Sequence, residues 1–241
     1  MKSNIPIKHE LSLLTVMRTF KFYLHRPGRA WRQERREWER YFYGRKLDKL
    51  GLTSHYAGLP HGAYMPDWAD LWNIYTLVRK RKPSLIWEFG SGCSTSIIAS
   101  AMKENNEEGH PGEFVCFEES PYWLAATEAY MPEHVRDFCR IETRDAKIVE
   151  IDGQPTITIT DLPEQHPNFI YIDGPLVRGG GPIVSLGVQL EKGAPNDYFI
   201  LIDGLGPTYR WTKKKLEYNY RFDENQVHYY RICERIDSGA K

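Results

Sequence analysis

The chain has 241 residues, 41% of them hydrophobic, enough apolar material for a sizeable core and too much for wholesale disorder. No apolar run reaches the roughly 18–20 residues that span a bilayer. The net charge of zero conceals an asymmetry: residues 1–49 carry 13 Lys/Arg against 5 Asp/Glu, and the remainder carries 19 against 27.

The opening stretch MKSNIPIKHELSLLTV has no basic start, long apolar stretch and small-residue cleavage site in the manner of a signal peptide, so a cytoplasmic protein is expected. Residues 9–24 place apolar side chains at near-helical spacing, and His25-Arg26-Pro27-Gly28 ends that predicted helix. A second helix is predicted over 30–48, within RPGRAWRQERREWERYFYGRKLDK, where arginines alternate with aromatics. Residues 21–49 have two open readings. They can meet an anionic surface, or they can form a solvated helix that packs Trp31, Trp38 and Phe42 on the domain and complements its acidic remainder. Residues 51–66, rich in Gly, Pro and Ser, read as an ordered loop. Asp67 then caps a helix to about Lys80, with Trp68, Leu71, Trp72, Tyr75 and Val78 on one face.

From Lys82 onward strands and helices alternate. Short apolar runs fall at 85–90, 113–118, 140–145, 169–174 and 198–204, with helix-compatible segments at 94–104, 121–130 and 181–191. ITITD (157–161) is either an extra strand or part of an irregular crossover. A helix is predicted over 208–217, and 218–222 and 227–236 then read as an antiparallel hairpin. The fold class is therefore α/β: a Rossmann-like, mostly parallel sheet of seven strands with a C-terminal antiparallel hairpin and a helical N-terminal extension. The four cysteines (Cys93, Cys116, Cys139 and Cys233) form no C-x-x-C pair. Free thiols are expected, with Cys116 and Cys233 inside apolar runs.

The strongest local signal is Ile86-Trp87-Glu88-Phe89-Gly90-Ser91-Gly92-Cys93-Ser94-Thr95, a strand that runs into a glycine turn and then a helix. Gly90 and Gly92 remove side chains where the chain turns and where a ligand would approach the backbone. Ser94 or Thr95 can cap the helix, whose N-terminal amides accept an anionic group. Glu88 sits at the turn end of its strand, where an unpaired charge is costly and a cationic partner would relieve it. Glu118 ends the second strand, where an acid can accept two ribose hydroxyls. Glu119 is expected to point the other way, because side chains alternate along a strand.

E-F-G-S-G-C-S-T resembles motif I of the S-adenosylmethionine-dependent methyltransferases with a Rossmann-like fold. F-E-E-S-P-Y-W is similar to the acidic-loop motif of catechol O-methyltransferase-like members. R-D-A (144–146), F-I-Y-I-D-G-P (169–175) and I-L-I-D-G (200–204) extend the resemblance over residues 67–236, and D-G-P also resembles glucuronoxylan methyltransferases. The resemblance implies an S-adenosylmethionine cofactor, with Glu88, Gly90, Ser91 and Gly92 at its methionine end and Ser94 on the carboxylate side. Glu118 would hold the ribose, and Asp145 and Ala146 would border the adenine. Asp173 would lie near the sulfonium and the acceptor. Ser94 departs from the usual third glycine of the motif.

Asp173 and Asp203 close neighbouring strands and can hold a Mg²⁺-type ion, as in catechol-type enzymes, although Gly204 stands where those have an asparagine ligand. Alternatively Asp173 is the base or an orienting acceptor, or either aspartate simply caps its loop. The segment 55–64 can fold over the cofactor, with His61 and Tyr64 as candidate contacts and His61 as a candidate catalytic group. Arg178 can meet an acidic substrate or face solvent. These readings divide the chain into a basic helical extension with a lid segment (1–66) and a cofactor domain (67–241). They favour methylation of a small hydroxylated or sugar-type acceptor and rank nucleic acid low. The rivals are a nicotinamide-dependent oxidoreductase, in which Thr95 would spoil the third glycine, and a non-catalytic scaffold that binds through its basic N-terminal segment.

Overall fold

The computed structural model describes residues 29–53, 56, 59, 63, 67–175, 183–224 and 230–240. The predicted helix over 9–24 lies outside them. Helix α1 (Arg29–Lys49) leads to α2 (Trp68–Arg81), whose N-cap Asp67 accepts a hydrogen bond from the Ala69 amide at 3.1 Å. Lys82 closes α2 in the left-handed conformation. Ala69, Leu71, Ile74, Tyr75 and Val78 are the apolar residues that α2 buries, with Trp68 and Trp72 half-buried beside them.

The expected packing of α1 needs correction at Phe42, which is 56% exposed. Tyr43 and Leu47, one turn apart, form the seam instead: Leu47 is fully buried and Tyr43 stacks on Trp72 at 6.1 Å. Trp38 is half-buried, and the Trp31 side chain lies outside the described residues. Arg40 pairs with Asp67 at 2.9 Å, tying the basic helix to the start of α2.

The α/β core follows in chain order: β1 (Leu85–Phe89), α3 (Cys93–Glu107), β2 (Glu113–Glu118), α4 (Pro121–Tyr130), α5 (Glu133–Arg136), β3 (Arg140–Thr143), β4 (Ala146–Ile151), β5 (Gln154–Ile159) and β6 (Phe169–Ile172). Then come β7 (Ile183–Val184), α6 (Leu186–Gln189), a 3₁₀ turn (Glu191–Gly193), β8 (Phe199–Asp203), α7 (Gly206–Lys215), β9 (Tyr218–Glu224) and β10 (Tyr230–Ala240). The main sheet has seven strands in the order β3-β2-β1-β6-β8-β10-β9. Strands β3 to β8 of that list run parallel, and β10 pairs antiparallel with both β8 and β9.

Strand periodicity divides the core between the two faces of the sheet. Ile86, Phe114, Cys116, Phe169 and Leu201 enter one apolar cluster, and Trp87, Val115, Phe117, Ile170 and Ile200 the other. Burial on both faces explains why these strands read as continuous apolar runs. All four cysteines are free, and Cys116 and Cys233 are fully buried.

Two stretches depart from the predicted elements. Ile157–Ile159 of ITITD end β5, which pairs antiparallel with β4 and parallel with β7 in a separate three-stranded sheet, while Thr160 and Asp161 lie beyond it. The helix predicted over 181–191 is reduced to α6 and a 3₁₀ turn, because Ile183 and Val184 are drawn into pairing with Thr156 and Ile157. No helix among the described residues is long and apolar enough to cross a membrane.

Candidate active site

The carboxyl ends of β1, β2, β6 and β8 open into one cavity of about 930 Å³, within the range of small-ligand sites. Parallel sheets gather their strand-end residues at one edge, and strand order reverses direction between β1 and β6, where such folds hold ligands. Helices α2, α3 and α4 complete the wall.

The glycine bend is built as a close approach of two strand ends. Gly90 has φ +95°, and a Cβ there would lie 3.0 Å from the Gly174 amide nitrogen. The Asp173 and Gly174 amides both donate to the Phe89 carbonyl, at 3.0 and 2.7 Å. Gly92 has an extended backbone, and its amide donates to Thr95 Oγ1 at 3.0 Å. A Cβ at Gly92 would meet nothing within 4 Å, so its missing side chain leaves room on the cavity wall.

Glu118 turns toward this bend. Its Oε2 accepts from the Ser91 amide and hydroxyl at 2.7 and 2.8 Å, and its Oε1 from the Ser120 amide at 2.9 Å. Thr127 adds a hydrogen bond to Ser91 Oγ at 3.1 Å. The carboxylate therefore sets the glycine loop while facing the cavity. Glu119 also borders the cavity, contrary to the expected alternation, because β2 ends at Glu118.

Glu88 stands one layer behind the wall. It is fully buried, accepts from Ser94 Oγ at 2.5 Å, and leaves Oε2 without a hydrogen-bond partner. Burial pushes its carboxyl up to about 7, against the opposing pull of Ser94, Thr95 and Cys116. Ser94 lines the cavity and Glu88 does not, so the expected direct contact of Glu88 becomes support of Ser94.

Asp173 directly follows β6 and is exposed, with its carboxyl open to the cavity. Enclosure by the protein, followed by the charges of Asp203, Glu88, Asp70 and Glu118, holds it well above the usual carboxylate range. Asp203, at the end of β8, accepts from the Tyr171 hydroxyl at 3.1 Å. Among the described residues no three His, Cys, Asp or Glu side chains are grouped to hold an ion. Gly204 offers no side-chain ligand, so among the described residues the strand-end donors for a divalent cation are Asp173 and Asp203.

Asp145 is exposed and Ala146 half-buried, and neither borders the cavity. Ala146 enters β4 opposite Ile159, and Ile159 takes the place on the wall. His61, Tyr64 and Arg178 lie outside the described residues, although Leu59 and Ala63 of the same loop do line the cavity. Sequence reading missed Asp70, Leu71 and Ile74 of α2 and Trp123, Thr127 and Tyr130 of α4. The described lining carries Asp67, Asp70, Glu118, Glu119, Asp173 and Asp203, with no Lys, Arg or His among its described residues.

No protein-family model and no curated protein matches the chain. Among solved structures it is similar to a Staphylococcus aureus protein named as a caffeoyl-CoA O-methyltransferase. The two are 12% identical with a TM-score of 0.51, over 92% of this chain and 100% of that one. The fold is a methyltransferase fold. The methyltransferase PaMTH1 of Podospora anserina, solved with SAH, is 15% identical with a TM-score of 0.49, over 98% of this chain and 100% of that one. At 12% identity the likeness to the Staphylococcus aureus protein carries the fold and not the reaction. In this methyltransferase fold the glycine bend, Glu118 and Asp173 occupy three walls of one cavity.

Proposed function

We propose that the chain is an S-adenosylmethionine-dependent methyltransferase that transfers a methyl group to a hydroxyl of a small or sugar-type acceptor. The observation that carries this reading is the glycine bend gripped by Glu118 and facing Asp173 across an acid-lined cavity. A sulfonium donor is cationic, whereas the pyrophosphate of a nicotinamide dinucleotide is anionic, and the described wall is acidic. That contrast favours the methyl donor over the oxidoreductase reading, and a buried, organised cavity disfavours a scaffold that acts only through residues 21–49.

S-adenosylmethionine supplies an already activated methyl group, so the protein's part is to align the acceptor and disperse charge. The bend and the first turn of α3 hold the methionine end, Glu118 the ribose side, and Ile159 and Phe117 offer apolar surface for the adenine. Asp173 accepts the acceptor's proton once it is ionised. Because its carboxyl titrates above the usual range, kcat/KM rises with pH through an ionisation higher than an ordinary carboxylate's, and Asp173→Asn removes that rise. No step is routed through a metal, in line with the short donor set. We assign the cofactor site to residues 67–241, the segment 55–64 to its cover, and the protein to the cytoplasm.

Incubation with S-adenosylmethionine and a panel of hydroxylated acceptors tests the proposal. A product heavier by one methylene, formed equally after chelation with EDTA, is the expected result. S-adenosylmethionine left unconsumed with every class of hydroxyl, or activity abolished by chelation and restored by Mg²⁺, contradicts the reaction or its metal-free form respectively.

A further inference from the structure

Resting on the methyltransferase reading, we infer that Tyr56 is a positioning residue for the cofactor end of the cavity, fixing the first turn of α3 through its hydroxyl. Tyr56 comes from the Gly- and Pro-rich loop between α1 and α2, yet it is only 6% exposed. Its hydroxyl donates to the Cys93 carbonyl at 2.9 Å and shares a second hydrogen bond with the Ser96 hydroxyl at 2.8 Å. Its ring tilts against Trp68 at 5.6 Å and meets Tyr130 edge-on at 6.2 Å. One side chain thus touches the starts of α2 and α3 and the end of α4.

These contacts fall on the wall itself. Cys93, Ser94 and Tyr130 line the cavity, as do Leu59 and Ala63 farther along the Tyr56 loop. Glu88 secures Ser94 from inside the core, and Tyr56 secures Cys93 and Ser96 from the outside, so the turn is held on two sides. The ring contacts belong to general packing and survive replacement by Phe. The two hydrogen bonds that the hydroxyl makes to Cys93 and Ser96 both end on α3, so its loss acts on the turn that meets the ligand. Burial keeps the phenol well above its usual range, and the donor stays neutral at all working pH values.

The test compares Tyr56→Phe with Tyr75→Phe by calorimetric titration with S-adenosylhomocysteine and by thermal unfolding. Tyr75 donates to Glu104 of the same helix at 2.7 Å but does not border the cavity. Tyr56→Phe is expected to weaken binding about fivefold, the effect of one net hydrogen bond. Tyr75→Phe is expected to lower the unfolding midpoint and leave the dissociation constant within about twofold. Ser96→Ala should weaken binding in the same direction as Tyr56→Phe, and the double variant should be less than additive. Wild-type binding with an unchanged constant in Tyr56→Phe overturns the inference, as does equal weakening in Tyr75→Phe. Wild-type protein that binds no S-adenosylhomocysteine overturns the methyltransferase reading beneath it.

Discussion

Two buried acids on adjacent strands have opposite fates in this chain. Glu118 receives three hydrogen bonds at 2.7–2.9 Å, two of them from backbone amides, and its carboxylate is the organising charge of the glycine loop. Glu118→Ala is expected to weaken S-adenosylmethionine binding roughly 10- to 150-fold, from about 1.5–3 kcal/mol for hydrogen bonds to a charged group. Calorimetry on the folded variant reads this, and an unchanged constant refutes the assignment. Glu88 is fully buried with one oxygen unpaired, and its carboxyl is pushed up to about 7. A carboxyl whose folded value is raised adds stability at low pH and loses it as pH climbs through that value. The stability of Glu88→Gln relative to wild type should therefore grow between about pH 5 and pH 8, measured by denaturant unfolding without ligand. A constant difference across that range would mean that Glu88 is not strained by burial. The acidic character of both positions was legible in the sequence. The different partners were not, because they depend on Ser94 and Ser91, which only the fold brings into range.

At the scale of elements, the two glycines of the bend do different work. Gly90 combines a left-handed φ with a backbone neighbour 3.0 Å from any Cβ, so Gly90→Ala should cost about 2 kcal/mol or more and lower the unfolding midpoint by about 4–8 °C. Gly92 is extended with open space beside it, so Gly92→Ala should leave the midpoint nearly unchanged and weaken cofactor binding at least about tenfold. Equal loss of stability in both variants would show that the space at Gly92 is not the ligand's. Sequence had placed both residues at a ligand-facing turn without separating these roles. It offered ITITD as an extra strand but overlooked its partner β4 and the hairpin between them, although Asp152-Gly153 between β-branched runs carried the signal. Both residues have positive φ, 52° and 73°, as a two-residue hairpin turn requires. That hairpin moves Asp145 and Ala146 off the cavity and puts Ile159 on it, which periodicity in a single segment does not reveal.

For the whole molecule, strand–helix alternation and the closing hairpin were enough to specify the seven-stranded sheet, since the runs that become β1, β2, β6 and β8 are buried on both faces, while the edge strand β3 is only half-buried. The wall contributed by α2 and α4 was not legible, because Asp70, Trp123 and Tyr130 meet only after three helices converge on the strand ends. The resulting cavity concentrates acidic side chains in a chain of zero net charge, and the basic α1 is coupled to it through Arg40 and Asp67. Acidic walls attract a cationic ligand and repel an anionic one, more strongly inside a concave site than on open surface. Parallel calorimetric titrations of the full chain with S-adenosylmethionine and with NAD test this most directly. Saturable, one-site binding of S-adenosylmethionine and none of NAD is the expected result. Tight binding of NAD, or binding of neither, would contradict it.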